Sequence, residues 1–571
     1  MQSQSNFKIV VVTGGVMSGI GKGHVTSSVG KMLQFRGFSV IPIKIDPYLN
    51  TDPGLMNPSE HGEVFVTEDV WQFETLSSDY VLKIAELDQD FGSYERFLDQ
   101  NMHPSQNISS GQVFTTILKK ERNGDFLGKT VQMIPHVTDE IKSRILSFTK
   151  EDNSSSYKII LVEIGGTVGD IEGDLYLEAV RQLQLELGRE NVSFIHTTLV
   201  PYNAPIQEFK TKPTQHSTQQ LLSRGIFPDF IVVRSDFPID QSIKSKIALF
   251  CNVPVTHVID NHNFKQELLY SLPLHFENQS FGELLLERLS IRSPLSTIKI
   301  SENIKSWEQM IRNFEVTKDS VTIGIAGKYT KNKDAYKSIK EALLHASGFF
   351  QLKIDIKWIE TDEIDDIKAS ITDIDGLLVA PGFGKRGTEK KIEFARYCLE
   401  NNFPYLGICF GMQMSIIAFA RYFANIKNAN SLEIDENTPE PVISLQEDQK
   451  KRVGLGGTMR LGKWKANLKP NTYIRKIYGT DIVFERHRHR WEVNNEYVKR
   501  LEEKGLVFSG YSPESDLVEF IELPEDKHIF FIGTQAHPEY KSRPMNPHPL
   551  YKEFIKKSYQ YKNQRKGSST T

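Results

Sequence analysis

Short apolar runs alternate with segments of helical periodicity along the first half of the chain. The run Phe7–Thr13 is rich in β-branched residues, is followed by two glycines and predicts a buried parallel strand. A helix is predicted over Lys22–Phe35 and a second strand over Ser39–Ile45. Further strands of this kind are predicted over Lys158–Ile164, Val192–Val200 and Asp229–Arg234. This alternation predicts a doubly wound α/β domain that binds ligands beyond the carboxyl ends of its strands.

The same alternation restarts in the second half of the chain. Strands are predicted over Val321–Ala326, Gly376–Ala380, Pro404–Ile408 and Ile529–Gln535. Loops rich in glycine, proline or reactive residues follow them, which indicates a second doubly wound α/β domain. The predicted divisions are a first domain over 1–290, a polar linker over 291–317, a second domain over 318–558 and a disordered basic tail over 559–571.

Composition excludes several classes of protein. With 39% hydrophobic and 25% charged residues, the 571-residue chain has the balance of a globular protein rather than a disordered one. Its net charge of −3 gives no reason to expect a nucleic-acid or membrane partner. No apolar run is long enough to span a bilayer, and the first residues lack the layout of a signal peptide. Because three cysteines are too few for a disulfide framework, we expect a cytoplasmic protein.

The segment Gly407–Gly411 carries a candidate nucleophile. It reads Gly-Ile-Cys-Phe-Gly between a predicted strand and a predicted helix, which is the form of a nucleophile elbow. The glycines allow a tight turn that projects the thiol of Cys409, and the positive end of the following helix favours the thiolate. A buried structural cysteine is the alternative, since free cysteines are commonly buried.

A second reactive segment follows the last predicted strand. His537 stands two residues before Glu539, so the carboxylate can fix the tautomer of an imidazole that faces a thiolate. The elbow and the later His-Pro-Glu string together resemble the class I glutamine amidotransferases. The resemblance implies that Cys409 attacks glutamine, that His537 acts as the base, that Glu539 orients it, and that ammonia is released.

The predicted oxyanion loop departs from the pattern of that family. The family usually shows Pro-Gly-Gly-Phe-Gly, whereas this chain reads Ala-Pro-Gly-Phe-Gly over Ala380–Gly384. Pro381 has no N–H to donate, so the remaining donors are the N–H groups of Gly382 and Phe410. Two outcomes stay open: a glutaminase that works with these donors, or one that the change has disabled.

The loop after the first predicted strand is rich in glycine. It runs from Gly14 to Gly23 and ends in Gly-Lys-Gly at the start of a helix, which suits phosphate binding by backbone N–H groups and Lys22. It is not a strict P-loop, because the glycine spacing differs and Gly23 replaces the Ser or Thr that would contact Mg²⁺. A tight connection without a ligand is the alternative.

Charged residues follow other predicted strands. Lys44 and Asp46 stand at the end of the second strand, and Glu163 stands at the end of the third. Carboxylates beside a phosphate loop suit Mg²⁺, which takes one or two carboxylates together with phosphate oxygens. The loop Lys210–Gln215 holds two cations and an amide and suits a triphosphate.

Longer strings resemble the CTP synthase family in order from about residue 8 to residue 555. They are Thr13–Gly23, Lys44–Tyr48, His61–Val66, Glu163–Glu172, Lys210–Gln215, Gly457–Gly462 and Glu485–Asn494. The resemblance implies a P-loop-like amidoligase domain joined to a class I glutamine amidotransferase domain. It implies that ATP phosphorylates O4 of UTP, and that ammonia from glutamine, passed internally, displaces the phosphate to give CTP. This is the last step of de novo pyrimidine nucleotide synthesis.

The resemblance also implies ligands and site residues. Mg²⁺ is the expected cofactor, GTP the activator, CTP the product inhibitor, and a homotetramer that stacks into filaments the expected assembly. The residues implied for ATP are Gly19, Ile20, Gly21, Lys22, Gly23, His24, Lys44 and Asp90. Those for UTP or CTP are Ser18, Asp170, Ile171, Glu172, Lys210, Thr211, Lys212, Pro213, Thr214, Gln215 and Lys246. Those for glutamine are Gly382, Phe410, Gly411, Met412, Gln413, Glu433 and Arg490; those for Mg²⁺ are Asp90 and Glu163; and those for GTP are His136 and Arg386.

An insert interrupts the family pattern ahead of the expected metal ligand. About a dozen extra residues lie within Trp71–Gln89, and the segment Tyr80–Leu87 has helical spacing. The downstream neighbours favour Asp90 as the ligand, and Asp88 is close enough in sequence to compete.

Two rival functions fit parts of the chain. One is a glutamine-dependent amidoligase with a carboxylate acceptor, against which the strings Lys210–Gln215 and Glu485–Asn494 argue. The other is an inactive assembly protein of the same family, which would explain Pro381. The presence of Cys409, His537 and Glu539 together argues against it.

Overall fold

The computed structural model describes residues 7–76, 81–150, 157–263, 266–445 and 459–568. The chain forms two compact units. The first unit comprises Met1–Asp52, Gln72–Leu82 and Ser93–Arg312, and the second unit comprises Pro53–Trp71, Lys83–Gly92 and Asn313–Thr571. The predicted division near residue 290 therefore differs from the observed one, since two segments from the N-terminal half belong to the second unit.

The strands are numbered in chain order. Those before residue 300 are β1 (Phe7–Gly14), β2 (Ser39–Asp46), β3 (Val64–Glu74), β4 (Val81–Asp88), β5 (Asn107–Ser109), β6 (Lys158–Ile164), β7 (Val192–Leu199), β8 (Tyr202–Asn203), β9 (Glu208–Phe209), β10 (Phe230–Ser235) and β11 (Val258–His262). Those after it are β12 (Asp319–Gly327), β13 (Leu352–Glu360), β14 (Gly376–Val379), β15 (Tyr405–Ile408), β16 (Ala429–Ser431), β17 (Glu440–Leu445), β18 (Arg460–Leu468), β19 (Ile482–His489), β20 (Trp491–Val493), β21 (Val507–Tyr511), β22 (Val518–Glu522) and β23 (Phe531–Thr534).

The α-helices follow the same order. Those up to residue 315 are α1 (Lys22–Phe35), α2 (Pro58–His61), α3 (Asp90–Leu98), α4 (Ser110–Arg122), α5 (Thr138–Leu146), α6 (Asp174–Leu187), α7 (Lys212–Ser223), α8 (Gln241–Cys251), α9 (Leu272–Glu277), α10 (Phe281–Arg288) and α11 (Thr297–Glu315). The others are α12 (Lys337–Phe349), α13 (Ile367–Ile371), α14 (Thr388–Glu400), α15 (Phe410–Tyr422), α16 (Tyr473–Tyr478), α17 (Asn495–Glu502) and α18 (Pro549–Ser568). Among the described residues, no helix is both long enough and apolar enough to cross a membrane.

The first unit is built on a parallel sheet of seven strands. Their order is β11-β10-β7-β1-β6-β2-β5, and every pair in it is parallel. The central strands β1 and β6 are buried along almost their whole length, because helices cover both faces of such a sheet. The predicted doubly wound α/β fold is confirmed for this unit.

The second unit has a mixed sheet of nine strands. Their order is β13-β12-β14-β15-β23-β22-β21-β18-β19. The first five are parallel, and the last four join by antiparallel pairing. The predicted α/β class is confirmed here too, with an antiparallel extension that the strand predictions did not include.

The insert contains a strand, so its helical interpretation was wrong. Strand β4 pairs with β3 in a sheet of two strands. Thr67 Oγ1 donates to the carbonyl of Ala85 at 3.2 Å, and the four residues Ile84–Leu87 are buried. Eight residues are too few for periodicity to separate a helix from a strand, and pairing decides the outcome. Residues 77–80 lie outside the described residues.

The segment predicted as a linker is largely helical. Helix α11 covers Thr297–Glu315, and the indole of Trp307 is buried against Phe35, Phe97 and Tyr270, at centroid distances of 6.1 to 6.3 Å. Trp307 Nε1 donates to the carbonyl of Tyr270 at 2.7 Å. A buried aromatic with a bonded N–H anchors this helix in the core of the first unit, so most of it is not a linker.

The segment predicted as a disordered tail is helical up to Ser568. Within α18, Tyr559 donates to Asp319 at 3.2 Å, and Arg565 pairs with Asp375 at 3.1 Å. The ring of Tyr561 lies 5.0 Å from that of Phe403. Disorder over 559–568 was therefore a wrong prediction, because the basic side chains have acidic partners far away in sequence. Residues 569–571 lie outside the described residues.

Candidate active site

Cys409 occupies the turn between β15 and α15. Its φ of 52° and ψ of −104° are unusual for a residue with a side chain and indicate local strain. Its backbone N–H donates to the carbonyl of Thr534 at 2.7 Å. A Cβ on Gly411 would lie 2.1 Å from the carbonyl oxygen of Val379, so the turn needs glycine there. The sequence thus forms a tight turn that holds the cysteine between a strand and a helix N-terminus.

His537 and Glu539 lie beside this cysteine. His537 Nδ1 is 2.8 Å from Glu539 Oε1, and the side chains of all three residues are almost completely buried. Burial disfavours the imidazolium, but the Glu539 carboxylate and the Cys409 thiolate outweigh it and raise the pKa of His537 to about 10. The arrangement therefore favours a protonated His537 near neutral pH.

The three residues line one cavity of about 230 Å³. That volume is below the range of roughly 300–1,000 Å³ typical of sites for drug-sized ligands, so the cavity suits a small substrate. Gly382 and Arg490, two of the residues predicted for glutamine, also line it.

The other residues predicted for glutamine have different surroundings. The side chains of Phe410 and Met412 are buried in the core of the second unit. Gln413 Nε2 donates to the carbonyl of Trp491 at 2.8 Å. Glu433 Oε1 accepts from the Gly384 N–H at 2.6 Å, and burial raises the pKa of this carboxyl group. Phe410 and Met412 therefore offer backbone rather than side-chain groups.

Residues from the N-terminal half form one wall of the same cavity. Its lining from this part of the chain is Gly54, Leu55, Met56, Pro58, Glu63 and Val64, all in the second unit. The Glu63 carboxylate accepts from the Ser338 N–H at 3.1 Å, and Tyr540 donates to the carbonyl of Val64 at 3.0 Å. The string His61–Val66 was predicted from the sequence only as a family match, without a role in this site.

The two residues predicted for GTP lie in different units. In the second unit, Arg386 pairs with Asp362 at 3.0 Å and donates to the carbonyl of Lys328 at 2.7 Å. In the first unit, His136 Nδ1 accepts from the Gln132 N–H at 2.9 Å. Each residue is held by neighbours of its own unit.

The glycine-rich loop of the first unit is open. Gly19 and Gly21 have φ values of 75° and 89°, and no other atom lies within 4 Å of where a Cβ would stand. This left-handed backbone favours glycine. Lys22 Nζ donates to the carbonyl of Gly166 at 2.6 Å, which joins the loop to the segment after β6. Of the other ATP residues, Ile20 and Gly23 are buried, and His24 lies edge-on to Phe97 at 6.5 Å.

Glu163 and Lys44 are neighbours at the carboxyl ends of β6 and β2. They are paired in the strand register, and Lys44 Nζ is 2.8 Å from Glu163 Oε1. Tyr94 donates to Glu163 Oε2 at 2.6 Å. Each oxygen of this buried carboxylate keeps a lone pair for a cation. Asp90, and its competitor Asp88, belong to the second unit, so the pairing of Asp90 with Glu163 stays a prediction.

The segment predicted for the pyrimidine nucleotide begins α7. Thr214 Oγ1 donates to the carbonyl of Leu199 at 2.9 Å, and Gln215 Nε2 donates to Thr211 Oγ1 at 3.0 Å. Lys210 pairs with the exposed Glu208 at 2.7 Å. The residues of this set that remain exposed are Ser18, Asp170, Ile171, Glu172, Lys212 and Lys246. Thr214 and Gln215 thus shape the segment, whereas the exposed members are accessible to a ligand.

A buried histidine connects the two segments that are predicted to bind nucleotides, and no prediction from the sequence named it. His196 lies 2.8 Å from Thr13 Oγ1 through Nδ1 and 2.8 Å from Ser217 Oγ through Nε2. Burial, with the nearby Lys22 charge, lowers its pKa to about 3. A Cβ on Gly15 would lie 1.4 Å from Ser217 Oγ. His196 sits inside β7 without a motif around it, so no sequence signal marks it.

One cluster in the described part of the chain has three potential metal ligands. The ligand atoms of Asp260, His262 and His275 lie within 4.8 Å of one another. His262 Nδ1 is 2.6 Å from Asp260 Oδ2, and His275 Nε2 is 2.9 Å from the carbonyl of Asp260. These hydrogen bonds hold the three side chains together.

Comparison with known proteins finds one family match in each half of the chain. The family profile described as "CTP synthase N-terminus" matches residues 8–291, and that described as "Glutamine amidotransferase class-I" matches 332–557. A CTP synthase of Saccharolobus solfataricus is 48% identical over 555 residues, which cover 96% of this chain and 98% of the relative. A CTP synthase of Caldanaerobacter subterraneus is 46% identical over 551 residues, with the same coverage.

A solved glutaminase domain of Trypanosoma brucei CTPS with bound acivicin is 31% identical; the match covers 42% of this chain and 94% of that domain, with a TM-score of 0.40. The two family profiles and the relatives that match nearly the full length agree: the chain belongs to the CTP synthase family.

Proposed function

We propose that this chain is a glutamine-hydrolysing, ATP-dependent CTP synthase whose two units carry out different steps of the reaction. The second unit hydrolyses glutamine in the cavity around Cys409, and the first unit phosphorylates and aminates UTP at the carboxyl ends of its strands. The observation that carries the proposal is the buried Cys409, His537 and Glu539 in one cavity, together with family membership over both halves of the chain.

Glutamine hydrolysis proceeds through a thioester. The Cys409 thiolate attacks the side-chain carboxamide carbon, and the electron pair moves onto the amide oxygen. The His537 imidazolium then donates its Nε2 proton to the leaving nitrogen, and ammonia departs. Neutral His537 next removes a proton from a water molecule that attacks the thioester, which releases glutamate. Glu539 keeps Nδ1 protonated throughout, as their 2.8 Å contact supports.

The N–H groups of Gly382 and Phe410 stabilise the oxyanion of both steps. Gly382 lines the cavity, and Phe410 is the first residue of the helix that follows the nucleophile. Pro381 takes no part as a donor. Glu433 and Arg490 bind the charged ends of glutamine, since a carboxylate suits its ammonium group and a guanidinium suits its carboxylate.

Phosphoryl transfer takes place in the first unit. The loop Gly19–His24 holds the phosphates of ATP, and Lys22 and Lys44 neutralise charge as the γ-phosphoryl group moves to O4 of UTP. Ammonia attacks C4 and displaces the phosphate, which gives CTP. The pyrimidine nucleotide binds at Ser18, at Asp170–Glu172, at Lys210–Gln215 and at Lys246, and CTP inhibits from the same segment.

Glu163, with Asp90, would hold Mg²⁺. The donor set fits, because carboxylate oxygens are the ligands that Mg²⁺ prefers and Glu163 is completely buried beside Lys44. The ion supplies neutralisation of phosphate charge when bound. Lys44 Nζ, at 2.8 Å from Glu163 Oε1, holds the carboxylate in place for that role.

We also propose how the enzyme is regulated and assembled. GTP acts through His136 and Arg386 to increase glutamine-dependent turnover, and the protein is a cytoplasmic homotetramer that stacks into filaments. The near-complete match to CTP synthases supports these assignments. Light scattering with and without UTP and ATP tests the assembly.

The central experiment measures CTP formation from UTP, ATP and Mg²⁺ with either glutamine or ammonium chloride. We expect product from both nitrogen sources, with GTP increasing only the glutamine reaction. Product from ammonia alone would show that the change at Pro381 has disabled the glutaminase. No product from either source would favour the assembly protein.

A further inference from the structure

Two buried lysines lie beneath the predicted oxyanion glycine. The side chains of Lys391 and Lys328 are 0% and 3% exposed, which is rare for lysine. A Cβ built on Gly382 would lie 3.8 Å from Lys391 Nζ and 3.1 Å from Lys328 Cε. Both side chains therefore reach the loop from below, and neither belongs to the mechanism described above.

Both ammonium groups donate to carbonyls of the oxyanion loop. Lys391 Nζ is 2.8 Å from the carbonyl oxygen of Ala380, on one side of Gly382. Lys328 Nζ is 2.9 Å from that of Gly384 and also donates to the carbonyl of Phe383, on the other side. The two lysines thus hold the loop on both sides of Gly382, at the carbonyl of Ala380 before it and at those of Phe383 and Gly384 after it.

The same lysines contact the residue that follows the nucleophile. Their Nζ atoms lie 5.2 Å (Lys328) and 5.3 Å (Lys391) from the centre of the Phe410 ring, within cation–π range. Phe410 supplies the second proposed oxyanion N–H. One pair of charges therefore connects both sources of oxyanion donors.

Acidic groups and the nucleophile balance these buried charges. Burial and the charge of Lys328 together lower the pKa of Lys391 to about 7, against the opposing effect of the Cys409 thiolate, Asp362 and Glu360. Two buried ammonium groups are costly to retain unless they meet negative charge. The negative charge that develops during turnover beside Gly382 is that of the oxyanion.

We propose that Lys391, assisted by Lys328, is a positioning residue of the glutaminase that fixes the oxyanion loop and adds positive charge where Pro381 offers no N–H. This inference rests on the proposed glutaminase and assigns a role to residues that the mechanism leaves unused. The stabilised species is the tetrahedral oxyanion, so the lysines act on the transition state more than on bound glutamine.

The test is Lys391→Met, which keeps the length of the side chain and removes its charge. We expect kcat for glutamine hydrolysis to fall about a hundredfold, the scale of losing one oxyanion donor, while KM for glutamine changes less than about twofold. The matched control is Lys390→Met on the same helix, where the lysine only pairs with Glu393 at 3.0 Å and turnover should not change. CTP formation from ammonium chloride should be unchanged in both variants.

An aldehyde analogue of glutamine separates electrostatic positioning from general damage. It forms a tetrahedral adduct with the Cys409 thiol, so its affinity should fall by the same factor as kcat/KM in Lys391→Met. A kcat within threefold of the parent, or equal losses of affinity for glutamine and for the aldehyde, would overturn the proposal.

Lys328→Met provides the same readouts if Lys391→Met does not fold. A parent enzyme without glutaminase activity would instead contradict the proposed function itself, and this outcome is distinct from a defect confined to the lysine variants.

Discussion

His537 Nδ1 lies 2.8 Å from Glu539 Oε1, in the cavity that also contains Cys409. In the proposed mechanism this contact determines which ring nitrogen exchanges protons. Because the carboxylate binds the Nδ1 proton, Nε2 remains for the proposed proton exchange with the leaving amine and with water. The ring of Tyr540 is stacked on the imidazole at 5.3 Å and limits its rotation.

Replacing the nucleophile should separate the two nitrogen sources. Cys409→Ala removes the attacking sulfur, and we expect glutamine-dependent CTP formation to fall at least about a thousandfold. Turnover with ammonium chloride should stay within about twofold of the parent. Loss of both activities would show that Cys409 is structural. Cys398→Ala, at a buried cysteine away from the cavity, is the control.

The His537 pair predicts a pH dependence of stability. Its folded-state pKa of about 10 is above the ordinary value of 6.5, so the pair stabilises the fold fully below pH 6.5. That contribution is lost as the pH rises through about 10. Urea unfolding at pH 6, 8 and 10 should show a falling free energy of unfolding.

Glu539→Gln tests the cause of that pH dependence. Without the carboxylate the pKa of His537 in the folded protein decreases, so the loss of stability with rising pH should be smaller and should end at a lower pH. An identical pH profile for the variant and the parent would rule out the pair as the cause.

Lys22 should matter for synthesis and not for hydrolysis. Lys22→Met removes the positive charge at the start of α1, and we expect CTP formation to fall about a hundredfold or more with either nitrogen source. Basal glutamine hydrolysis should be retained. Unchanged CTP formation would refute the phosphate-loop assignment. Lys299→Met removes an exposed lysine of the first unit and serves as the control.

The buried histidine of the first unit should support both stability and ATP binding. His196→Ala leaves the hydroxyls of Thr13 and Ser217 without their bonds to the ring, so we expect a loss of about 2–4 kcal/mol in the free energy of unfolding. The KM for ATP should rise because the glycine-rich loop loses its link to α7. Chemical denaturation and initial rates test this. An unchanged KM for ATP would show that His196 contributes to folding and not to ATP binding.

The C-terminal helix should contribute to stability. A chain ending at residue 558 loses the contacts of Tyr559, Tyr561 and Arg565, and we expect the Tm to fall by several degrees. Lys556→Gln changes an exposed pair with Glu553 and should alter the free energy of unfolding by no more than about 0.5 kcal/mol. An unchanged Tm after truncation would show that this segment is not bound to the second unit.

Local sequence pattern was sufficient for most of the framework. The predicted bounds Lys158–Ile164 and Lys22–Phe35 coincide with β6 and α1, because a buried parallel strand is a continuous apolar run and glycines mark the ends of the helix. Tyr80–Leu87 and the C-terminal segment were misassigned. Their structure depends on pairing with β3 and on acidic residues such as Asp319, which lie far away in sequence.

In the candidate site too, local sequence pattern predicts some residues and misses those whose role depends on distant partners. Cys409, His537 and Glu539 can be predicted from the sequence because each stands in a short motif at the end of a strand. Lys391 looks like a surface lysine of an amphipathic helix, and His196 like any residue of a strand. Only the packed structure brings Lys391 under Gly382 and His196 between Thr13 and Ser217.

The membership of Pro53–Trp71 in the second unit has a consequence for the evolution of the gene. A glutaminase acquired by simple fusion would occupy one continuous stretch of codons and could be exchanged for that of another enzyme. Here a donor segment that begins at Asn313 would bring the nucleophile but lack Glu63 and Val64, which bond to Ser338 and Tyr540. Exchange by recombination at one crossover would therefore yield a glutaminase with an incomplete pocket, which favours inheritance of the two halves together.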